Sequence, residues 1–387
     1  MRSNHFNLSV RQKMLMSNRS ESDAPDTTDP RKRHNYKNVA IIGGGLAGLS
    51  TAHHLLEKTK LDQGALRVTI FDKAPVGMGG ASSVAGGLVH PFSPRGKLVH
   101  MGNEAMASSS HLIDAACLEE PSCVLRKQLY RLALTDQQAS DLKNTATQYP
   151  QYATWMDAAQ IKQVCRIEET PSSSHVLGGL KLSNGCQVIH VPTYLKGLWN
   201  SCIHLSNGTV EWIQTKDEDT NWLSSHYLQP FDCVVLSAGS GLLQDSILSQ
   251  LNTPVNSGGK HETLTTLPVD LVRGQSLEMI MGSSVGGTKT PEREAMLCGK
   301  YLTPLPQTAE SKQQGEERIL MGSTHEYREN AFTEEEVVKE IKERTYDLAP
   351  DVWDTARVDR ITSGVRVQSH RGQFGRLPMI GKIGQLN

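Results

Sequence analysis

The sequence holds no apolar run of about 18 residues, the length a membrane-spanning helix needs. Aromatic residues make up only 5%, and 40 Lys and Arg against 41 Asp and Glu leave a formal net charge of −1. That balance argues against a nucleic-acid partner, because nucleic-acid binders usually carry a broad basic excess. The seven cysteines, Cys117, Cys123, Cys165, Cys186, Cys202, Cys233 and Cys298, form no C-x-x-C pair and no Cys/His cluster with zinc-finger spacing. Their odd number excludes a fully paired disulfide framework. It fits a reducing, intracellular compartment, with each thiol acting as a small hydrophobe. No internal repeat and no secretory apolar segment is present. What remains is a chain of 387 residues, 37% hydrophobic, long enough to bury a sizeable core without disulfides or metals and to divide into two domains.

Residues 1–37 differ from the rest, with eight Lys or Arg against four acids and few apolar side chains. Such a composition predicts a disordered tail. Its first twenty residues carry no acid and several Arg and Ser, the character of an organelle-targeting segment for a plastid or mitochondrion, alongside the plain alternative of a solvated cytoplasmic tail.

From Asn38 the pattern changes. Val39-Ala40-Ile41-Ile42 is the short apolar run of a buried parallel strand, 49–58 reads as a helix, and Arg67-Val68-Thr69-Ile70-Phe71 as a second strand ending at Asp72. Together they make one βαβ unit. Residues 103–165 read as mostly helical, with Leu125, Leu129 and Leu132 spaced along one helix face. Short β-like runs follow in 175–190 and 207–214, a helix over 191–202, and a buried strand over 232–239. Residues 251–305 alternate strands and loops, 306–317 reads as a polar loop, and 318–322 as a strand. Thr333 with Glu336 three residues on is a capping-box arrangement opening a helix over 333–346.

Between the first strand and helix lies Gly43-Gly44-Gly45-Leu46-Ala47-Gly48, a G-x-G-x-x-G pattern. Alone the pattern is weak. Here it follows a strand, opens a helix, and precedes a strand ending in an acid 29 residues after Gly43. Gly43 permits the tight turn, Gly45 lets backbone approach a pyrophosphate, and Gly48 lets the helix pack close on the strand. Unpaired N–H groups and the helix dipole favour phosphate at this end. Asp72 can accept hydrogen bonds from ribose hydroxyls, and Lys73 after it faces either solvent or a cofactor phosphate. The loop 79–91 that follows is rich in small residues and backbone donors, which suits an extended cofactor. No second fingerprint exists, since 239–244 lacks the third glycine, and this disfavours a reductase carrying FAD and NAD(P)H in separate fingerprints.

These residues resemble the D-amino-acid oxidase-like family of FAD-dependent amine and amino-acid oxidases, and within it look most like glycine oxidase and the C-terminal oxidase domain of the bifunctional tRNA wobble-uridine enzyme. The resemblance is carried in order by the fingerprint with Asp72, the 80–88 loop, the 234–239 strand, Pro268 with Arg273-Gly274-Gln275, Tyr301-Leu302-Thr303-Pro304 followed by 321–326, and Gly364-Val365-Arg366 with 377–381. It implies an α/β fold: a Rossmann-like FAD-binding domain from 38–110, 186–250 and 345–387, and a second α+β substrate domain with a mostly antiparallel sheet from 111–185 and 251–344. It further implies FAD contacts from Gly43, Gly45, Leu46, Ala47, Gly48, Asp72, Lys73, Ala81, Ser82, Ser83, Gly87, Ala238 and Gly239.

The activity implied is oxidation of a C–N bond of a small amine or amino acid to an imine, with O₂ as acceptor. Arg366 matches the family arginine that clamps a substrate carboxylate, a task suited to the planar guanidinium fork. Tyr301 lies where the family often places a substrate-contacting phenol. His90 in the flavin-side loop either contacts ring or substrate, carries a covalent flavin link, or caps backbone. His325 and Glu326, adjacent on a strand, point to opposite faces and make no catalytic pair. The resemblance also implies a last turn and helix against the flavin, and the sequence ends at Asn387, six residues after Gly381. The expectation is therefore a chain lacking that FAD-contacting segment, and the alternatives are an inactive flavin-fold protein or an oxidase of a modified tRNA side chain.

Overall fold

The computed structural model describes residues 36–61, 65–167, 175–216, 228–243, 268–282, 293–327, 330–373 and 375–381. The readings of residues 1–35, 251–267 and 283–292 lie outside them. The chain opens with β1 (Lys37–Ile42), α1 (Leu46–Leu61) and β2 (Leu66–Asp72). There follow β3 (Leu88–Val89), α2 (Gly102–Glu119), β4 (Val124–Arg126), β5 (Leu129–Ala133), α3 (Asp136–Gln148), β6 (Ala153–Asp157), α4 (Ala158–Cys165), β7 (Gly178–Leu182), β8 (Gln187–Ile189), α5 (Val191–Ser206), β9 (Val210–Gln214) and β10 (Cys233–Leu236). The remainder is β11 (Val269–Met281), β12 (Met296–Leu297), β13 (Tyr301–Pro304), α6 (Ala309–Gln314), β14 (Glu317–Gly322), α7 (Glu334–Thr345), α8 (Pro350–Thr355) and β15 (Ala356–Ser369).

Four of these strands form a parallel sheet in the order β10-β1-β2-β9. β1 is central, and its last four residues are buried, which explains why it reads as an unbroken apolar run rather than an alternation. Helices α1, α2 and α5 cover one core, built from Val39, Ile41, Leu49, Val68, Ile70, Leu112, Leu195 and Leu198. A second sheet of eight strands runs β15-β11-β14-β13-β12-β5-β7-β6 and is antiparallel except where β12 meets β5. A three-stranded sheet, β3-β8-β4, completes the fold. This is the expected pairing of a Rossmann-like sheet with a mostly antiparallel one. β15, read from sequence with the FAD-binding segments, pairs with β11 along its length in the large sheet.

Two local readings are corrected. Leu129 and Leu132 do not lie on a helix but in β5, all five of whose residues are buried. A strand enclosed on both faces shows no alternation, so its leucines mimic a helical spacing. Residues 306–317 are not all loop either, because Thr308 caps α6 by accepting the Ser311 N–H. The capping box at Thr333 forms as read: Thr333 accepts the Glu336 N–H at 3.3 Å and the Glu336 carboxylate accepts the Thr333 N–H at 2.8 Å. Thr333→Ala should therefore cost about 1 kcal/mol, read as a lower denaturant midpoint at unchanged slope. The thiols of Cys123, Cys165, Cys186 and Cys202 sit in the apolar cores, and all seven cysteines are unbridged. Among the described residues no helix is long and apolar enough to cross a membrane.

Candidate active site

At the carboxyl end of β1 the chain turns through Gly43-Gly44-Gly45 into α1. A Cβ on Gly48 would fall 1.9 Å from the Gly43 carbonyl oxygen, so only glycine lets the first turn of α1 close on the loop. Gly43 packs on Ala238 just before Gly239, and Ser237 holds the contact by donating its hydroxyl to the Gly43 carbonyl at 2.8 Å. On the other side the Asp72 carboxylate accepts the N–H of Gly44 at 2.7 Å and of Ala74 at 2.8 Å. Asp72 thus buckles the loop to β2 and keeps lone pairs for a further donor. Lys73 is exposed beside it. Leu46 and Ala47 are exposed, the first turn of α1 carries no acid, and the N–H groups of Gly45 and Ala47 meet no backbone acceptor among the described residues. An exposed helix start with open donors and no opposing charge fits a dinucleotide pyrophosphate.

The structure adds a residue that sequence reading missed. Gly44, a free position in the fingerprint, must also be glycine, because a Cβ there would lie 2.0 Å from the ring of Trp212. Trp212 enters from β9, two strands away from β1. Its indole reaches under the loop from about 170 residues on in the sequence, a relation no local pattern encodes.

The loop after Asp72 links the two sheets. Ala81–Val84 form one 3₁₀ turn. The Ser82 hydroxyl accepts the Leu46 N–H at 3.2 Å, and the Ser83 hydroxyl donates to the Gly80 carbonyl at 3.0 Å. Beyond them the Gly87 carbonyl accepts the Ile189 N–H at 2.9 Å. The same turn rests on β15: a Cβ on Gly364 would lie 2.6 Å from Val84 Cγ2 and 3.0 Å from the Ala81 Cα. Gly86 then faces the Tyr301 ring, its own hypothetical Cβ 2.8 Å from that ring.

The large sheet presents one face to this loop. In register, Tyr301 lies opposite Gly322, Gly322 opposite Ser276, and Ser276 opposite Thr362. With only hydrogen at Gly322, the Tyr301 hydroxyl reaches the Ser276 hydroxyl at 2.9 Å. Gly364 and Arg366 follow Thr362 at every second position of β15 and so share its face. Arg366 is exposed, has no ion-pair partner among the described residues, and its positive charge is felt by both Tyr301 and His325. Burial pushes the Tyr301 phenol up, opposed by its bonds to Ser276 and Ser323 and by the Arg366 charge. It is therefore neutral at physiological pH. Lys300 is buried next to it and donates to the Ser323 carbonyl at 2.6 Å and to Glu340 at 2.7 Å. The fingerprint, Asp72, 81–87 and 237–239 thus converge on one side, and Tyr301 and Arg366 on the other.

The remaining candidates are placed plainly. His90 accepts the Phe92 N–H on Nδ1 at 3.2 Å, the backbone-capping role among its three readings. His325 is exposed while Glu326 is 2% exposed, so they do face opposite ways. Burial, with the Arg131 charge, pulls His90 down to about 4. His190 is likewise pulled to about 4, by burial and the charges of Arg318 and Lys196. Between pH 4 and 6.5 the unfolded chain binds protons at these sites and the folded chain does not, so stability must fall as pH drops through that window. His90→Asn, which keeps an acceptor for Phe92, should flatten the fall by at most about 3 kcal/mol, read from denaturant midpoints between pH 7 and 4.

Comparison with known proteins places this arrangement. The chain matches the family profile described as FAD dependent oxidoreductase (DAO) over residues 38–386. Among solved structures, glycine oxidase from Geobacillus kaustophilus superposes with a TM-score of 0.59 at 19% identity, covering 89% of this chain and 86% of that one. Iminodiacetate oxidase from Chelativorans sp. BNC1 gives 0.58 at 17%, covering 85% and 83%. L-Proline dehydrogenase from P. horikoshii gives 0.62 at 14%, covering 91% and 86%. At such identities these likenesses show the fold alone. No curated protein matches the sequence. The profile match spans most of the chain, and the protein belongs to the DAO family of FAD-dependent oxidoreductases.

Proposed function

We propose that this oxidoreductase converts the C–N bond of a small amine or amino acid to an imine, with O₂ as the final acceptor. One observation carries the reading: the 81–87 segment touches the start of α1 through Ser82, Gly364 through Ala81 and Val84, and Tyr301 through Gly86. The residues that would hold FAD thus continue from the fingerprint to the face that carries Tyr301 and Arg366. In this reading Gly43, Gly45, Leu46, Ala47 and Gly48 would hold the pyrophosphate, and Asp72, flanked by Lys73, would take the ribose. Ala81, Ser82, Ser83, Gly87, Ala238 and Gly239 would supply its remaining contacts. FAD, when bound, supplies the two-electron acceptor for the oxidation.

The side chains of this chain do the rest. Arg366 grips a carboxylate through both oxygens in one plane. Tyr301, kept neutral by burial and fixed by Ser276, offers a hydroxyl at the same face. The amine must be neutral when oxidised, and the role assigned to Arg366 is toward the carboxylate alone. Positioning thus replaces acid–base chemistry. The names of the solved neighbours, glycine oxidase, iminodiacetate oxidase and L-proline dehydrogenase, point to amino-acid-like substrates and support this assignment.

The test is the absorbance spectrum of the purified protein with and without added FAD, followed by an anaerobic screen of amines. Flavin bands that bleach with a carboxylate-bearing amine, and peroxide formed on admitting air, are the expected result. Flavin that binds but bleaches with no amine or amino acid would overturn the substrate assignment.

A further inference from the structure

We propose that the protein carries a divalent-metal site, suited to zinc, between α1 and α2, formed by His53, Glu57 and His111. One candidate ligand atom from each of the three lies within 4.8 Å of the others. His53 and Glu57 are four residues apart on α1 and so share one helix face. His111 comes across from α2, and its Nε2 already meets Glu57 Oε1 at 2.9 Å.

The second observation is an unsatisfied atom. His53 is 2% exposed, its Nε2 meets the Ser201 hydroxyl at 3.2 Å, and its Nδ1 is buried without a partner. A buried nitrogen without a hydrogen bond is costly and calls for an occupant. With the proton on Nε2, donated to Ser201, Nδ1 carries a lone pair, which is the form a metal ligand requires. Ser201 on α5 then acts as the outer partner that fixes the ring.

Two imidazoles and a carboxylate make a borderline-soft donor set, which suits Zn²⁺. The Glu57 and His111 side chains are 33% and 50% exposed, so both can shift slightly to ligand distance and water can complete a tetrahedron. His54 frames the site, its ring stacked on that of His111 at 6.1 Å and its Nδ1 3.8 Å from Glu57 Oε2. On α1 the cluster lies about two to three turns past Leu46, beyond the helix start that carries the fingerprint. The metal's effect is to pin α2 to the helix that starts at the fingerprint.

The test uses the full-length, FAD-loaded protein and Zn²⁺, titrated in competition with a chromophoric chelator, with thermal midpoints measured alongside. One site per chain is expected, weakened at least about tenfold in both His111→Ala and Glu57→Gln and unchanged in His204→Ala, an exposed histidine outside the cluster. Zinc should raise the midpoint of the wild type and of His204→Ala but not of the other two, since only ligand bound to the folded state stabilises it. Both ligand substitutions fall on partly exposed side chains, so the fold should survive them. Equal affinity in all four proteins, or no zinc uptake by the wild type, would overturn the site.

Discussion

Gly48→Ala is expected to give a folded protein that purifies without flavin. The added methyl would sit 1.9 Å from the Gly43 carbonyl oxygen. That carbonyl cannot swing aside freely, because Ser237 donates to it at 2.8 Å. The start of α1 must therefore lift, carrying away the open N–H groups of Gly45 and Ala47. Two charge-assisted hydrogen bonds at about 1.5–3 kcal/mol each correspond to a loss of roughly 10²–10⁴ in FAD affinity. Absorbance of the purified protein and a fluorescence titration with FAD read it out, with far-UV circular dichroism reporting the fold. Gly282→Ala, where a Cβ meets nothing within 4 Å, is the matched control and should stay yellow. Flavin bound to Gly48→Ala with unchanged affinity would mean that the fingerprint does not hold the cofactor.

The second large effect is expected at Arg366. Arg366→Met should raise KM for a carboxylate-bearing substrate about 10–100-fold while leaving flavin content unchanged, since one charge-assisted contact is worth roughly 1.5–3 kcal/mol. Arg366→Lys keeps the charge but loses the in-plane fork and should fall between. An amine without a carboxylate should be oxidised alike by all three proteins. Steady-state kinetics with a matched pair of substrates decides it. A uniform loss on both substrates would place Arg366 in the support of the sheet rather than in substrate binding.

The fingerprint was legible because much of its physics is local: Gly43 to Gly48 and Asp72 lie within one βαβ unit, Gly48 answers a clash with Gly43 inside it, and Gly45 one with Ser82 just beyond it. The capping box at Thr333 is local in the same sense. Trp212 under Gly44 and Ser276 beside Tyr301 were not legible, because each contact is made by strands that meet only in the folded sheet. β5 was misread for a related reason. Its two faces are covered by separate clusters, Tyr130 and Leu132 grouping with Ile161 and Ile167, Leu129 and Ala133 with Phe92 and Leu142, so its leucines carry no strand period. Arg366 and Tyr301 are named only through family resemblance, since an exposed arginine and a half-buried strand tyrosine are common in any sheet.

The small glycine at position 364 has a consequence for how the protein is made. During synthesis β1 and β2 emerge early and can pair at once, but β10 reaches β1 only after nearly 200 further residues. The turn at Ala81–Val84 must wait longer still, because the surface it rests on is β15, about 280 residues further along the sequence. Contacts that distant form late. A nascent chain halted before residue 364 would display the fingerprint without a floor beneath its flavin-side loop. Cofactor retention would then require synthesis through β15 rather than of the first βαβ unit alone.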